Sequence, residues 1–174
     1  MKTYEYIHPE NIEYTGEVAI REDKGETIAH SRRVYKHFFQ RIIDSIFDYR
    51  YFLKYDVVDT EGKQLFTVKK ISRRGKLWFE GYDIQLNKKY VISYENWRIG
   101  IPTLYITDGD IKIQLEKEME DWSKFIYNDQ VIAEWKAEYM EDQFHMVLHI
   151  HDQSPIQKPE FFIAICQATL FVGA

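Results

Sequence analysis

The segment from Pro159 to Gly173 is apolar around its whole circumference, with only Gln167 and Thr169 interrupting it after Glu160. Pro159 suits a first helical turn, Glu160 the positive end of a helix dipole, and Gly173 an exit. At about 1.5 Å per residue, such a helix is too short to cross a hydrocarbon core of about 30 Å. A helix hydrophobic on every face has to be enclosed on every face. The rest of the chain must therefore supply a wall on all sides. With 174 residues it has the material, since a chain of about 150 residues is one domain that buries roughly 70% of its unfolded surface. A single domain over residues 1–174 is expected.

The remaining sequence reads mostly as β-strand. Short runs rich in Val, Ile, Tyr, Phe and Trp are separated by Gly, Asn or Asp. Lys54 to Val58 and Gln64 to Val68 flank a turn at Thr60 to Lys63. Leu77 to Glu80 and Tyr82 to Leu86 lead into Tyr90 to Tyr94. Leu104 to Thr107 turns at Asp108-Gly109-Asp110 into Ile111 to Leu115. Lys124 to Tyr127 turns at Asn128-Asp129 into Val131 to Trp135, and Phe144 to Ile150 closes the series. Ile111, Ile113 and Leu115 alternate with polar residues, as do Phe144, Met146, Leu148 and Ile150. Strict alternation gives one buried and one wet face, the mark of an antiparallel meander. A meander with one apolar face closes into a barrel. The fold class expected is mainly β: a closed antiparallel barrel around the last helix.

One further segment breaks the strand pattern. Between Arg33 and Asp48, the residues Tyr35, Phe38, Phe39, Ile42, Ile43, Ile46 and Phe47 recur at spacings of three and four. This predicts an additional amphipathic helix near residues 33–48.

Strand-Asp-x-x-Gly-strand units, such as Asp59 to Gly62, followed by a hydrophobic final helix, resemble the tubby carboxy-terminal-like superfamily. That superfamily also holds the LURP-one-related proteins and the phospholipid scramblases. The resemblance covers most of the chain and is strongest from Tyr51 to Phe171. It implies a barrel of about 12 strands around a central hydrophobic C-terminal helix. Tubby itself binds phosphoinositide headgroups through basic side chains on the barrel surface, and the scramblases associate with membranes. No local motif here matches tubby's phosphate-binding residues, so none is carried over.

Charge is unevenly distributed. The formal net charge is −5, which gives no general attraction for nucleic acid. Yet residues 31–76 hold 12 Lys and Arg against 5 Asp and Glu, while residues 108–142 hold 4 against 11. Lys69, Lys70, Arg73, Arg74 and Lys76 lie close together, with Ser72 and Gly75 marking a hairpin tip. This cluster is the candidate anion-binding site, for phosphate headgroups or an acidic partner. Its bland counterpart is a solvated hairpin whose edge lysines deter aggregation.

Other polar groups point less clearly to chemistry. His145, His149 and His151 fall on the wet face of one strand. His145 and His149 are roughly 13 Å apart and cannot share a metal, whereas His149 and His151 are roughly 7 Å apart. With Asp152 as a third ligand they are weak metal candidates, and no metal or cofactor is expected. The acidic stretches Glu116 to Asp121 and Glu138 to Asp142 read as solvated faces. The single cysteine, Cys166, falls in the enclosed helix as a packing residue. Gln167, in the same helix, needs partners from strand backbone or a tyrosine hydroxyl.

The first function class is a non-enzymatic binding module for an anionic lipid surface or a partner protein. The alternative is a structural or oligomer-forming protein that uses the exposed half of helix 33–48. The second alternative is an enzyme with a surface His/Asp site. The start of the sequence, MKTYEY, has no apolar run of a leader, and no transmembrane segment is evident. A cytoplasmic protein, peripheral at a membrane, is the expectation.

Overall fold

The wall around the C-terminal helix is a closed barrel in the computed structural model of the chain, which describes residues 1–73, 76–95, 103–118 and 121–170. Strands β1 (Lys2–Pro9), β2 (Val18–Glu22) and β3 (Thr27–Arg33) precede helix α1 (Phe38–Ile46). Then come β4 (Lys54–Asp59), β5 (Gln64–Arg73), β6 (Lys76–Asp83), β7 (Lys88–Glu95), β8 (Thr103–Thr107) and β9 (Lys112–Glu116). The barrel continues with β10 (Ser123–Tyr127), β11 (Gln130–Met140) and β12 (Gln143–Ile150), and helix α2 (Pro159–Thr169) follows. Each strand pairs with its successor, and β1 closes the ring against β12 with Lys2 opposite Ile150. The seam between β1 and β2 is the shortest in the ring, with only Tyr4 opposite Glu22 and Glu5 opposite Arg21 in register.

The hairpins rest on the turn chemistry visible in the sequence. Asp59 Oδ1 accepts the amides of Glu61 and Lys63 at 3.0 and 2.8 Å, and Gly62 takes a φ of 84°. Asp108 Oδ1 accepts Asp110 and Ile111, both at 2.9 Å, beside Gly109 at φ 101°. Asn128 and Asp129 both have positive φ, the signature of a two-residue hairpin turn.

The structure corrects two readings and adds three strands. The predicted helix over 33–48 is shorter, because Arg33 ends β3 and the helical turns occupy only Phe38–Ile46. Leu77 to Leu86 is not two strands. Gly81 lies inside β6, and Ile84 to Leu86 form the turn after it. A Cβ at Gly81 would meet the Phe66 ring at 3.1 Å, so this glycine makes room for an aromatic neighbour and marks no bend. The three added strands, β1 to β3 within residues 2–33, precede the first run assigned from the sequence, Lys54 to Val58.

Nine consecutive α2 residues, Phe161 to Thr169, are buried. Phe161 packs edge-on against Phe66 and Tyr90, with ring centres at 5.5 and 5.0 Å, and Phe162 meets Phe125 at 4.9 Å. Both helix ends are pinned by cations. Lys158 Nζ bonds Asp83 Oδ2 at 2.7 Å where the helix enters the barrel. Lys117 Nζ donates to the Thr169 carbonyl and, at 3.2 Å, to that of Leu170, at the negative end of the helix dipole. Burial pulls the Lys117 ammonium down to about 8, with Cys166 opposing the shift. Lys117 thus turns inward from a stretch that reads as a solvated face.

The interior also holds polar groups. Burial pushes the Cys166 thiol up, and only Lys117 opposes it, so the sulfur is an inert packing atom. Gln167 faces the Tyr55 hydroxyl, the type of neighbour anticipated. Among the described residues, however, neither its amide atoms nor that hydroxyl closes an ordinary hydrogen bond.

Candidate functional site

Strand register gathers one end of the barrel. Arg33 stands opposite Tyr55, which stands opposite Val68. Lys54 stands opposite Lys69, and Lys69 opposite Glu80. The end of β3, the start of β4, the end of β5 and the start of β6 therefore share one rim. Helix α1 joins β3 to β4, so it sits on the rim that carries the 69–76 hairpin. The C-terminus of α2 points to this end too, since Lys117, which caps it, directly follows β9.

The candidate basic residues are only partly a loop. Lys69 and Lys70 lie within β5, and Arg73 and Lys76 pair in register at the end of the hairpin. Arg74 lies outside the described residues. Lys69 Nζ lies 3.8 Å from Glu80 Oε2, while Lys89 Nζ holds Glu80 Oε1 at 2.9 Å. Burial pushes the Glu80 carboxyl up, but Lys89, Trp78 and Lys69 together outweigh it and hold the group below its usual range. Lys70 Nζ donates to the Arg50 carbonyl, which ties the hairpin to the chain leaving α1. Burial pulls the Lys70 ammonium down; Asp44 opposes this, and the Arg50 and Arg33 charges reinforce it.

Helix α1 is mounted with its polar side inward. Asp44 is its one buried residue. Its Oδ2 accepts Arg33 Nη2 at 2.5 Å and the Tyr35 hydroxyl at 2.8 Å. Its Oδ1 accepts the amides of Tyr51 and Phe52 at 2.8 and 2.9 Å. Arg33, fully buried as well, also donates to the carbonyls of Ile12 and Tyr49 at 2.6 and 2.8 Å. Burial, then the bond to Asp44, push the Tyr35 hydroxyl far up. The apolar positions consequently face outward. Phe38 is 72% exposed, Phe39 74% and Ile46 74%, and Ile42, Ile43 and Phe47 are exposed beside them.

At the head of α1 lies an open cleft of about 380 Å³, lined by Arg32, Lys36, His37, Phe38 and Arg41 among others. Arg32 Nη1 bonds Glu17 Oε1 at 3.1 Å. The first turn of α1 carries no acidic residue and His37 makes no side-chain cap. The positive end of the helix dipole therefore adds to the cations around it.

This arrangement belongs to a recognised fold family. The family model described as Tubby C-terminal like domain matches residues 4–172. The chain belongs to the tubby C-terminal-like family. No curated protein matches it significantly. The tubby-like barrel seen here agrees with that family in both its closed wall and its central helix.

The other sequence candidates are not brought together on this tubby-like barrel. His149 stacks on Trp122 with ring centres at 4.5 Å. His151 Nε2 lies 3.3 Å from Glu134 Oε2, and its Nδ1 is 3.3 Å from Gln153 Nε2. Asp152 binds the N-terminal ammonium at 2.6 Å. Among the described residues no three His, Cys, Asp or Glu side chains converge as metal ligands. Sequence reasoning missed the Arg33–Asp44 pair and the cations at the head of α1. The available signal was an aspartate standing opposite the apolar stripe of a short helix.

A buried histidine lies near this anchor. Burial pulls the His8 imidazole below its ordinary value; the Pro9 carbonyl at 2.6 Å opposes the shift and the Arg33 charge reinforces it. As pH falls below 6.5, the unfolded chain takes up a proton that the folded chain resists. The contribution of neutral His8 to stability is therefore complete above that pH and is lost as pH falls through the folded value. Urea titrations at about pH 7 and about pH 5 are expected to show a smaller acid loss for His8→Gln than for wild type. Equal losses would contradict this account of His8.

Proposed function

We propose that this tubby-like domain is a non-enzymatic binding module for anionic lipid surfaces and that it binds them through the basic sector of one barrel rim, from the end of β3 to the start of β6, the acidic residues Glu116, Glu138, Glu141 and Asp142 lying on the sector of the same rim formed by β9 to β12. One observation carries the reading. Support comes from the strand pairing: β5 carries Lys69, Lys70 and Arg73 and β6 starts at Lys76, at the barrel end where α1 joins β3 to β4, and the head of α1 is lined by Arg32, Lys36 and Arg41. Each Lys or Arg close to an anionic membrane contributes about 1 kcal/mol. A rim with several of them supports attraction without a dedicated catalytic group. The family's resemblance to phosphoinositide-binding tubby proteins agrees with this. No helix among the described residues is long and apolar enough to cross a membrane, so the proposed contact is peripheral.

The test is flotation with anionic vesicles. A variant with Lys69, Arg73, Arg74 and Lys76 each changed to Glu is expected to lose most vesicle-bound protein relative to wild type. Lys70 is left intact because its ammonium secures the Arg50 carbonyl. Equal flotation of the two proteins would remove the hairpin from the lipid site.

A further inference from the structure

The outward face of α1 goes beyond electrostatic attraction. An ordinary surface helix turns its apolar stripe toward the core and its charges to water. Helix α1 does the reverse, and the inversion is built in. Asp44 is held by Arg33, Tyr35 and the amides of Tyr51 and Phe52. Rolling the helix to hide Phe38, Phe39 and Ile46 would break all of these bonds and strand the buried Arg33. The apolar face is therefore held away from the barrel by a polar anchor.

We infer that α1 is an interfacial wedge: Phe38, Phe39, Ile42, Ile43, Ile46 and Phe47 enter the boundary between headgroups and acyl chains of an anionic bilayer. This rests on the lipid-binding reading above and specifies how deep the contact goes. The exposed apolar residues run from Phe38 to Phe47 along one side of a helix about 14 Å long, so burying them together lays the helix along the membrane plane. Interfacial helices of this kind bury their apolar face about 5–10 Å deep, with cations at headgroup level. The surroundings match that layering. Lys36 and Arg41 stand at the head of the helix, and Arg50 and Lys70 at its foot. In residues 34–54 the acids are Asp44, which is buried, and Asp48. This charge pattern favours an anionic bilayer over a second copy of the same face, because face-to-face pairing would set these cations against one another.

The inference is tested by site-specific labelling. Cys166 is enclosed in the barrel, so an environment-sensitive fluorophore placed at Phe39→Cys labels that position selectively. A matching label at Glu61→Cys reports the β4–β5 hairpin at the opposite end. On vesicles of phosphatidylcholine with phosphatidylserine, the label at 39 is expected to shift to the blue and be quenched by acyl-chain nitroxides, while the label at 61 does neither. A Phe38→Ser, Phe39→Ser, Ile46→Ser variant is expected to keep its thermal unfolding and bind these vesicles at least about tenfold more weakly. If wild type binds but the label at 39 stays in water and the triple variant binds equally, the wedge is refuted and the electrostatic reading survives. If wild type binds no anionic vesicle, both fall together. A wild-type dimer in light scattering that the triple variant abolishes would assign the face to self-association and overturn the wedge.

Discussion

Replacing Asp44 with alanine is expected to cost about 3–5 kcal/mol of unfolding free energy, the cost typical of removing one partner from a buried ion pair. The loss is large because four donors converge on one carboxylate: Arg33, Tyr35, and the amides of Tyr51 and Phe52. Without it, the Arg33 guanidinium keeps its carbonyl partners but remains a buried charge without its anion. Asp44→Asn preserves an acceptor for the two amides and is expected to cost less than alanine. Urea unfolding followed by circular dichroism measures both. A cost below about 1 kcal/mol for Asp44→Ala would place it with ordinary surface substitutions and deny that this residue anchors α1.

Phe161→Ala is the second large effect, expected to cost about 3–5 kcal/mol. The ring touches Phe66, Tyr90 and Phe162, with ring centres at 5.0 to 5.5 Å. These neighbours belong to two strands of the wall and to α2 itself, and a closed barrel cannot collapse readily into the cavity left behind. The same substitution should expose Cys166 more often. Its reaction with a thiol reagent under native conditions is expected to accelerate relative to wild type. Little change in either stability or reactivity would mean that the wall repacks freely around the helix.

The central architecture was legible because it is forced by composition. Phe161 to Ala168 has no face that tolerates water, and only a closed wall satisfies it. The hairpins were legible because Asp59, Asp108 and Asn128 act locally, through bonds to nearby amides or through positive φ. The errors have equally physical sources. Gly81 resembles a turn residue but serves the Phe66 ring, a contact between strands that no local pattern records. The stripe in α1 reveals two faces without saying which one points inward. Arg33 and Asp44, eleven residues apart, settle that through a tertiary contact. Lys69 to Lys76 stood out as a cluster in sequence. Lys36 and Arg41 did not, because only the barrel's register sets α1 and the β5–β6 hairpin on one rim.

The most direct test compares wild-type binding to vesicles of phosphatidylcholine alone with binding to vesicles that also contain phosphatidylserine, at low and high salt. Binding is expected to require the anionic lipid and to weaken as salt screens the basic residues around α1, with a salt-resistant fraction because the α1 face is apolar. Equal binding to neutral and anionic vesicles, or none to either, would contradict this expectation.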